Sequence, residues 1–244
     1  MSRVGPEIPC FPQVYGPNEI YRGRNYLVPL SMVEWAFQNF PFVKGVVLVE
    51  QYGAHERRRR YLVRLLPLAA KYGRRVIWAH KHGPRVLEFV VLETDPRWFE
   101  PISRYGRYFV PVWKMNGACS PLLAHSCCLG FWLSGISEAW GVEPESWYWH
   151  EAGFGREAEF PPLCWGQMML VGLSSGATCY IFEPPWPLWK GDKLTKVATE
   201  VVLPLLSDIA RHALIPMKEE VLSRVKFGYM ASKADVPCSR ENSY

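Results

Sequence analysis

Short runs of consecutive apolar residues alternate along this chain with longer segments in which apolar residues recur every three or four positions. The uninterrupted runs predict strands buried on both faces, because such strands lack the polar and apolar alternation of a half-exposed strand. These predicted strands are Gly45–Val49, Arg75–Ala79, Tyr108–Trp113, Gly130–Leu133 and Ala177–Phe182. The longer segments predict amphipathic helices, and these are Ser31–Phe40, Glu56–Tyr72, Asp95–Tyr105, Ser120–Cys128, Pro162–Leu173, Leu194–His212 and Lys218–Val225.

Local signals mark several element ends. Ser31, with Glu34 three residues later, has the spacing of a capping box at a helix start. Gly73 directly follows the second predicted helix and fits the left-handed position that commonly ends a helix. Val86–Leu92 is apolar and fits a strand or a short helix, and Val225–Met230 predicts a last strand.

The alternation of buried strands and amphipathic helices predicts an α/β fold with a parallel sheet and helical crossovers. The chain has neither a G-x-G-x-x-G fingerprint after its first strand nor a G-x-x-x-x-G-K-[ST] motif, which argues against a nucleotide-binding sheet. A (β/α)8 TIM-like barrel is the remaining choice. Only five or six strands are recognisable, so we expect a barrel that is incomplete at its N-terminal side. Either strands lie hidden in residues 1–30, or the barrel is open, or the sequence is a fragment.

Composition divides the chain into three segments. Residues 1–27 are rich in proline and glycine and predict an extended lead-in. Residues 28–230 contain the periodic pattern and predict the barrel domain. Residues 231–244 predict a disordered tail.

Charge and cysteine usage restrict the class of partner. The net charge of +5 includes the run Arg57–Arg60, which we interpret as a solvated helix face, because a nucleic-acid partner would require a broader basic stripe. The seven cysteines include no C-x-x-C pair, so the sequence predicts reduced thiols, no zinc site and no cofactor. The start of the chain has no apolar signal region, and no apolar run is long enough to span a bilayer. The localisation therefore stays open, and a complete chain of this kind would be cytoplasmic.

Polar residues follow nearly every predicted strand. In (β/α) barrels the functional residues lie at the carboxyl ends of the strands. The predicted strand ends carry Glu50, His80, Lys81, Lys114, Glu138 and Glu183. Three of these are carboxylates, which we expect to converge over the barrel mouth.

Aromatic residues are concentrated in the segment Leu129–Glu151, which contains four of the eleven tryptophans. Flat rings beside carboxylates fit a sugar-binding cleft, and they fit an aromatic-rich core equally well. On the first interpretation the sugar platforms are Trp140, Trp147, Trp149 and Trp186. Glu151 is a predicted sugar contact, whereas Glu143 and Glu145 are interpreted as loop surface.

Glycoside hydrolysis commonly requires two carboxyl groups. One protonates the leaving oxygen, and the other activates a water molecule or attacks the sugar. We therefore predict Glu50, Glu138 and Glu183 as catalytic residues, with His80, Lys81 and Lys114 as substrate-binding residues. The alternative is that each glutamate forms a structural pair with a nearby lysine or arginine.

Four segments in order resemble the catalytic module of glycoside hydrolase family 98. They are KGVVLVEQYG, RRYLVRLLPLAAKYGRRVIWAH, CCLGFWLSGISEAWGVEPESWYW and GATCYIFEPP, and IPMKEEVLSRVKFGY resembles the segment that closes that module. The resemblance extends from about Val43 to Tyr229.

This resemblance implies a (β/α) barrel and an endo-acting enzyme that inverts the anomeric configuration. It implies β-galactosyl linkages of blood-group-type glycans, or xylan, as substrates, and it implies secretion if the chain is truncated at its start. Glu50 matches the family's proposed general acid, Glu183 matches one member of its base pair, and Glu138 falls near the other member, which is commonly Asp.

Three functions follow in order of preference. The first is an inverting endo-glycosidase that takes an oligosaccharide or polysaccharide substrate. The second is a non-catalytic carbohydrate-binding remnant of such an enzyme, because the first strands of the family are not evident in this sequence. The third, a nucleic-acid-binding protein, depends only on Arg57–Arg60. No membrane partner is predicted, and the oligomeric state is left open.

Overall fold

The computed structural model describes residues 9–15, 20–21, 24–25, 27–51, 56–80, 95–115, 121–145, 161–182 and 188–224. The helices of the described part are α1 (Leu30–Asn39), α2 (Glu56–Lys71), α3 (Pro96–Tyr105), α4 (Pro121–Leu133), α5 (Pro162–Ser174), α6 (Leu203–His212) and α7 (Lys218–Arg224). A 3-10 turn at Gly106–Tyr108 follows α3, and a π-helical turn at Ala198–Val202 leads into α6. All seven helices were predicted, to within a few residues except at α4 and α6. Helix α4 continues five residues past its predicted end, and α6 with its π-helical turn begins later than predicted.

The main sheet has six parallel strands among the described residues, and the strands follow one another in chain order. They are β1 (Gln13–Tyr15), β4 (Gly45–Gln51), β5 (Arg75–His80), β6 (Phe109–Met115), β7 (Gly141–Pro144) and β8 (Cys179–Tyr180). Two antiparallel hairpins, β2 (Ile20–Tyr21) with β3 (Arg24–Asn25) and β9 (Trp189–Lys190) with β10 (Lys193–Leu194), lie outside this sheet. A sheet whose order never reverses is singly wound, as in a barrel, so the fold is a half-barrel of the TIM type.

Two strands of the main sheet escaped prediction. β1 has three residues and lies inside the segment predicted as an extended lead-in, and its residues pair in parallel with β4. β7 reads Gly-Val-Glu-Pro and has neither an apolar run nor alternation at the sequence level. A strand did therefore lie hidden in residues 1–30, which was one of the three alternatives.

The predicted strand Gly130–Leu133 is wrong, because these residues form the end of α4. Every side of this helix segment is apolar, and such a segment cannot be told from a buried strand by periodicity. The strand that follows is β7, and it begins eight residues after Leu133.

A side-chain cap forms at α3, whereas the cap that was predicted at α1 does not form. The Asp95 side chain accepts a hydrogen bond of 3.1 Å from the Arg97 backbone N–H at the start of α3. At α1 the cap position is Pro29, with no side-chain cap, so the predicted capping box at Ser31 does not form. Glu34 instead accepts hydrogen bonds from Lys71 and Tyr72, which tie α1 to the end of α2.

Each face of the sheet belongs to a different apolar cluster. Leu48, Trp78 and Phe109 pack with the helices, and Ala79 and Val112 belong to a second cluster that includes no helix residue. Successive strand residues point to opposite faces. Burial on both faces explains why the central strands are uninterrupted apolar runs, and it defines an inner face that corresponds to the barrel interior.

Helix α2 departs from the predicted solvated arginine face. Arg58 and Arg59 are buried, with 5% and 8% exposure, and the Arg59 guanidinium lies 5.3 Å from the centre of the Trp98 ring on α3. Arg57 and Arg60 are exposed. The run of four therefore divides between a helix interface and an open surface. In the described part of the chain, no helix is long and apolar enough to cross a membrane.

Candidate active site

The carboxyl ends of the parallel strands lie along one edge of the sheet. β4 ends with Glu50 and Gln51, β5 ends with His80, and β6 ends with Lys114 and Met115. The prediction that Glu50, His80 and Lys114 lie at strand ends is confirmed at the level of the backbone.

Lys114 forms a buried ionic cluster with two glutamates at this edge. Its Nζ lies 2.8 Å from Oε1 of Glu143 and 3.0 Å from Oε2 of Glu145. None of the three side chains is exposed to solvent. Removing three charges from water is costly. A buried group of this kind is stable only where the charges compensate each other. We call Lys114, Glu143 and Glu145 the carboxylate cluster.

Strand pairing and side-chain alternation bring this cluster together. Lys114 of β6 is the register partner of Glu143 of β7. Glu145 follows Glu143 by two residues and so returns to the same face. Val112 lies two residues before Lys114 and belongs to the inner cluster. The three charged groups therefore lie on the inner face, above the apolar layer of the half-barrel.

The cluster corrects two predictions. Glu143 and Glu145 were interpreted as loop surface but are fully buried. Lys114 was predicted as a substrate-binding residue, and in the structure its buried ammonium bonds the two glutamates. A local signal for the two acids does exist in the sequence: Val-Glu-Pro-Glu places two carboxylates on one face if the segment is a strand. The signal was not recognisable without the strand assignment.

The thiol of β8 borders the cluster, whereas the phenol packs on the helix side of the sheet. Burial, followed by the negative charge of Glu143, raises the pKa of the Cys179 thiol to about 12. Burial is also the main cause that raises the pKa of Tyr180 to about 12, with a smaller contribution from Cys179. Both groups are neutral at pH 7, so neither adds a charge to the described part of β8.

A histidine between two tryptophans supports the cluster from the helix side. The His125 ring of α4 stacks on Trp113 with centroids 4.7 Å apart, and it lies 5.5 Å from the Trp140 ring. Burial lowers the pKa of His125, so the neutral imidazole is favoured. Trp113 directly precedes Lys114, and this packing therefore holds the end of β6 in place.

Glu138 lies at the opposite edge of the sheet, and its predicted position at a strand end is wrong. It comes before β7, and its carboxylate contacts Arg75 at 3.0 Å and Arg107 at 3.4 Å. Arg75 begins β5 and Arg107 precedes β6, so both mark the amino ends of the strands. Glu138 is half exposed. This is the structural ion pair that was the alternative to catalysis.

Trp140 cannot act as a sugar platform in this structure. It has no exposed surface, and its indole N–H donates a hydrogen bond of 3.2 Å to the Ser175 carbonyl oxygen. Its ring belongs to the cluster on the helix side of the sheet. For this residue the aromatic-core interpretation is confirmed.

The backbone register changes beside Glu50. Leu48 pairs with Trp78 but Gln51 pairs with His80, so three steps on β4 match two on β5. Such a bulge inserts one residue and commonly lies beside an active site, where it changes the direction of a side chain. Simple alternation from Leu48 therefore does not apply to Glu50.

The remaining predicted site residues lie outside the part of the chain that the structure describes. They are Lys81, Trp147, Trp149, Glu151, Glu183 and Trp186, together with the side chains of Glu50 and His80. Among the described residues, no group of three or more histidine, cysteine, aspartate or glutamate side chains has the arrangement of a metal site.

Comparison with known proteins shows which family and which solved structures this chain resembles. The family model described as glycosyl hydrolase family 98 matches residues 8–213. Two similar solved structures are catalytic modules of family 98 glycoside hydrolases from Streptococcus pneumoniae TIGR4, one with the H-disaccharide blood group antigen and one with the LewisY pentasaccharide blood group antigen. The first has 28% identity, a TM-score of 0.73 and coverage of 84% of this chain and 39% of its own. The second has 26% identity, a TM-score of 0.74 and coverage of 90% and 40%.

The native form of such a module has 27% identity and a TM-score of 0.74, with coverage of 88% of this chain and 39% of its own. A search of curated proteins found no match. The chain thus spans about two fifths of the length of the solved modules it resembles.

Proposed function

Because this chain belongs to glycosyl hydrolase family 98, we propose that it carries the carboxylate site of an endo-acting glycoside hydrolase that inverts the anomeric configuration. The observation that supports this most directly is the carboxylate cluster on the inner face, at the edge where barrel enzymes bind substrate. The proposed complete fold is a (β/α)8 barrel, of which the six parallel strands form the described part.

Glu50 is the proposed general acid, and the proposed base is a glutamate of the carboxylate cluster acting with Glu183. β4 and β7 are three strand spacings apart, about 14 Å along the sheet. Long side chains that project inward from a curved sheet shorten this separation. An inverting enzyme needs carboxyl groups about 6.5–9.5 Å apart to leave room for water. Glu143 and Glu145 therefore replace Glu138 in the proposed mechanism.

Lys114 is the proposed positioning residue. An ammonium within 3 Å of two carboxylates favours their ionised form. A carboxylate must be ionised to take a proton from water. Lys114 would therefore keep one glutamate ready to act as a base while it fixes the direction of both.

Oligosaccharides of the blood-group type are the proposed substrates, because the similar modules bind the H-disaccharide and LewisY antigens. A β-linked galactoside is the expected scissile unit, and a xylan-type glycan is the second choice. Trp147, Trp149 and Trp186 stay proposed sugar platforms. His80, Lys81 and Glu151 stay proposed hydroxyl contacts.

Digestion of a glycan library, with product anomers determined by NMR, tests this function. Glu50→Gln, Glu143→Gln and Glu145→Gln each remove one charge, and loss of a general acid or base lowers the rate by about 10²–10⁴-fold. Glu138→Gln is the matched control, since the same substitution at the opposite edge leaves the carboxylate cluster intact. Full turnover by all three site variants, or a retained anomeric configuration, would refute the proposal.

A carbohydrate-binding remnant without activity is the second candidate. The observation in its favour is that neither glutamate of the carboxylate cluster is exposed to solvent, whereas a catalytic base must reach a water molecule. Retained glycan binding on an array, with no product released from the same glycans, would support it over hydrolysis.

A further inference from the structure

A pocket of about 730 Å³ lies between the first turns of α1 and α2, away from the carboxylate cluster. One wall is the segment 27–31, which contains four apolar residues and Ser31. The other wall is a stripe of α2 that carries three arginines and Tyr61. The arginines are Arg57, Arg60 and Arg64, and we call this the arginine pocket.

The stripe follows from helix geometry. Positions 57, 60, 61 and 64 are spaced three, four and seven residues from the first, so their side chains emerge on one face. Tyr61 donates a hydrogen bond of 2.7 Å to the Val28 carbonyl oxygen. This bond joins the two walls and holds the arginines at a fixed distance from the apolar segment.

The pocket has an excess of positive charge. Glu56 accepts hydrogen bonds from Arg60 at 3.0 and 2.5 Å, so these two side chains compensate each other. Arg57 and Arg64 are exposed, and neither forms an ion pair with another residue of the described ranges. Two guanidinium groups are thus left to face the pocket, and a guanidinium bonds a carboxylate or sulfate through parallel N–H donors.

Topology places the pocket at the edge that carries the proposed active site. α1 comes after β1 and α2 comes after β4, and a helix that follows a parallel strand begins at the carboxyl end of that strand. Glu56 lies six positions after Glu50, so their Cα atoms are at most about 22 Å apart. A ligand bound at the carboxyl edge of the sheet can reach the pocket with a branch or a distal sugar.

We infer that the arginine pocket binds an acidic substituent of the glycan, the carboxylate or sulfate of a sugar distant from the scissile bond. This inference rests on the proposed glycoside hydrolase function and specifies the substrate class. The apolar wall fits the C–H face of a sugar ring, and the guanidinium groups fit its charged substituent. A volume between 300 and 1,000 Å³ is typical of a small-ligand site. Tyr61 is the one aromatic residue among those that line the pocket, whereas single-stranded nucleic acids require a basic groove with several aromatic rings on which successive bases stack.

Calorimetric titration of the 244-residue chain tests the inference without any need for hydrolysis. The probes are N-acetyllactosamine, its 3′-sialylated form, its 6-sulfated form and inorganic phosphate. We expect at least one acidic form to bind about tenfold more tightly than the neutral sugar, and the comparison of the sialylated and sulfated forms identifies the acidic group. The double variant Arg57→Ala/Arg64→Ala should abolish this preference.

Arg104→Ala is the matched control, because Arg104 is an exposed arginine of α3 outside the pocket. Arg57→Gln/Arg64→Gln keeps most of the side-chain packing and separates loss of charge from loss of volume. Thermal unfolding of each variant confirms that it is folded.

Equal binding of neutral and acidic sugars, or an unchanged preference in the double variant, would overturn the inference. Phosphate or an RNA oligonucleotide that competes as strongly as the acidic sugar would also overturn it, in favour of a general anion site. If the acidic probe binds through the arginines while no glycan is cleaved, the pocket stands and the proposed hydrolase activity fails.

Discussion

Lys114 shows how one residue sets the electrostatics of the proposed active site. Its ammonium compensates Glu143 and Glu145, and all three side chains are buried. Removal of one partner from a buried ionic group leaves an uncompensated charge, which costs more than removal of the whole group. The stability of the sheet edge therefore depends on the same contacts as its proposed chemistry.

Lys114→Met should lower the free energy of unfolding by about 3–5 kcal/mol, because the two glutamates lose their cation while they stay buried. Urea denaturation measures this change. Lys44→Met is the control, since Lys44 is exposed and the same substitution there should have little effect. Addition of Glu143→Gln and Glu145→Gln to Lys114→Met should restore much of the loss. If the single variant is as stable as the wild type, the cluster does not carry the energy assigned to it.

His125 makes stability depend on pH at the same edge. Burial lowers the pKa of His125 in the folded chain. As the pH falls through the ordinary histidine pKa of 6.5, the unfolded chain therefore binds more protons than the folded chain. The contribution of His125 is therefore fully present above pH 6.5 and decreases as the pH falls from there. We expect His125→Gln to reduce the slope of unfolding free energy against pH between pH 7 and 5.

Denaturation at several pH values measures that slope, and His212→Gln, at an exposed position on α6, controls for the loss of an imidazole elsewhere. The slope is compared, rather than the absolute stability, because the substitution also changes the stacking between Trp113 and Trp140. An identical slope in wild type and His125→Gln would contradict the prediction.

At the scale of the elements, β7 is the strand that was hardest to predict and the one that places the two glutamates. It lies between β6 and β8 and is covered by α5, which contacts it through Gly172. A Cβ on Gly172 would lie 2.7 and 2.9 Å from the two methyl groups of Val142. The absence of a side chain at this position therefore sets the distance between helix and strand.

Gly172→Ala should destabilise the chain by about 1–3 kcal/mol, because both methyl groups of a β-branched buried residue cannot move away together. Gly130→Ala provides a matched comparison within α4, where an added Cβ meets no atom within 4 Å. That substitution should stabilise the chain by about 0.4–1 kcal/mol through helix propensity and a less flexible unfolded state. Thermal and urea unfolding distinguish the two signs. Equal effects would show that α5 and β7 are not in close contact.

At the scale of the whole molecule, the half-barrel leaves apolar surface on its last helices. The described part of the chain exposes large apolar side chains on α5, α6, α7 and the segment between α6 and α7. They are Leu163, Leu170, Leu203, Leu214, Met217 and Leu222. Leu170 and Leu214 line one pocket between α5 and α7, and exposed apolar surface of this kind is typical of regions that contact other protein surfaces.

We expect the purified chain to associate as its concentration rises and to increase the fluorescence of an apolar dye. Light scattering after size-exclusion chromatography measures the association. Leu170→Lys/Met217→Lys should reduce both signals, whereas Met32→Lys, at an exposed position on α1, should not. A monomer at all concentrations, with dye fluorescence equal in the wild type and the double variant, would contradict the prediction.

The sequence by itself determined the alternation of strands and helices, since buried parallel strands and amphipathic helices have distinct periods. It also determined the parallel sheet and the strand-end positions of Glu50, His80 and Lys114, and its motifs identified the family that the comparisons show.

Tertiary structure decided which acids share a site. Glu143 and Glu145 are adjacent to Lys114 only because β7 pairs with β6 in a particular register. Glu138 was assigned to the wrong edge because an all-apolar helix end has the same pattern as a buried strand. The strand lies eleven residues later than predicted, and this shift moves Glu138 from one end of the sheet to the other. Contacts between residues far apart in the chain depend on register, and register is set by packing over the whole sheet.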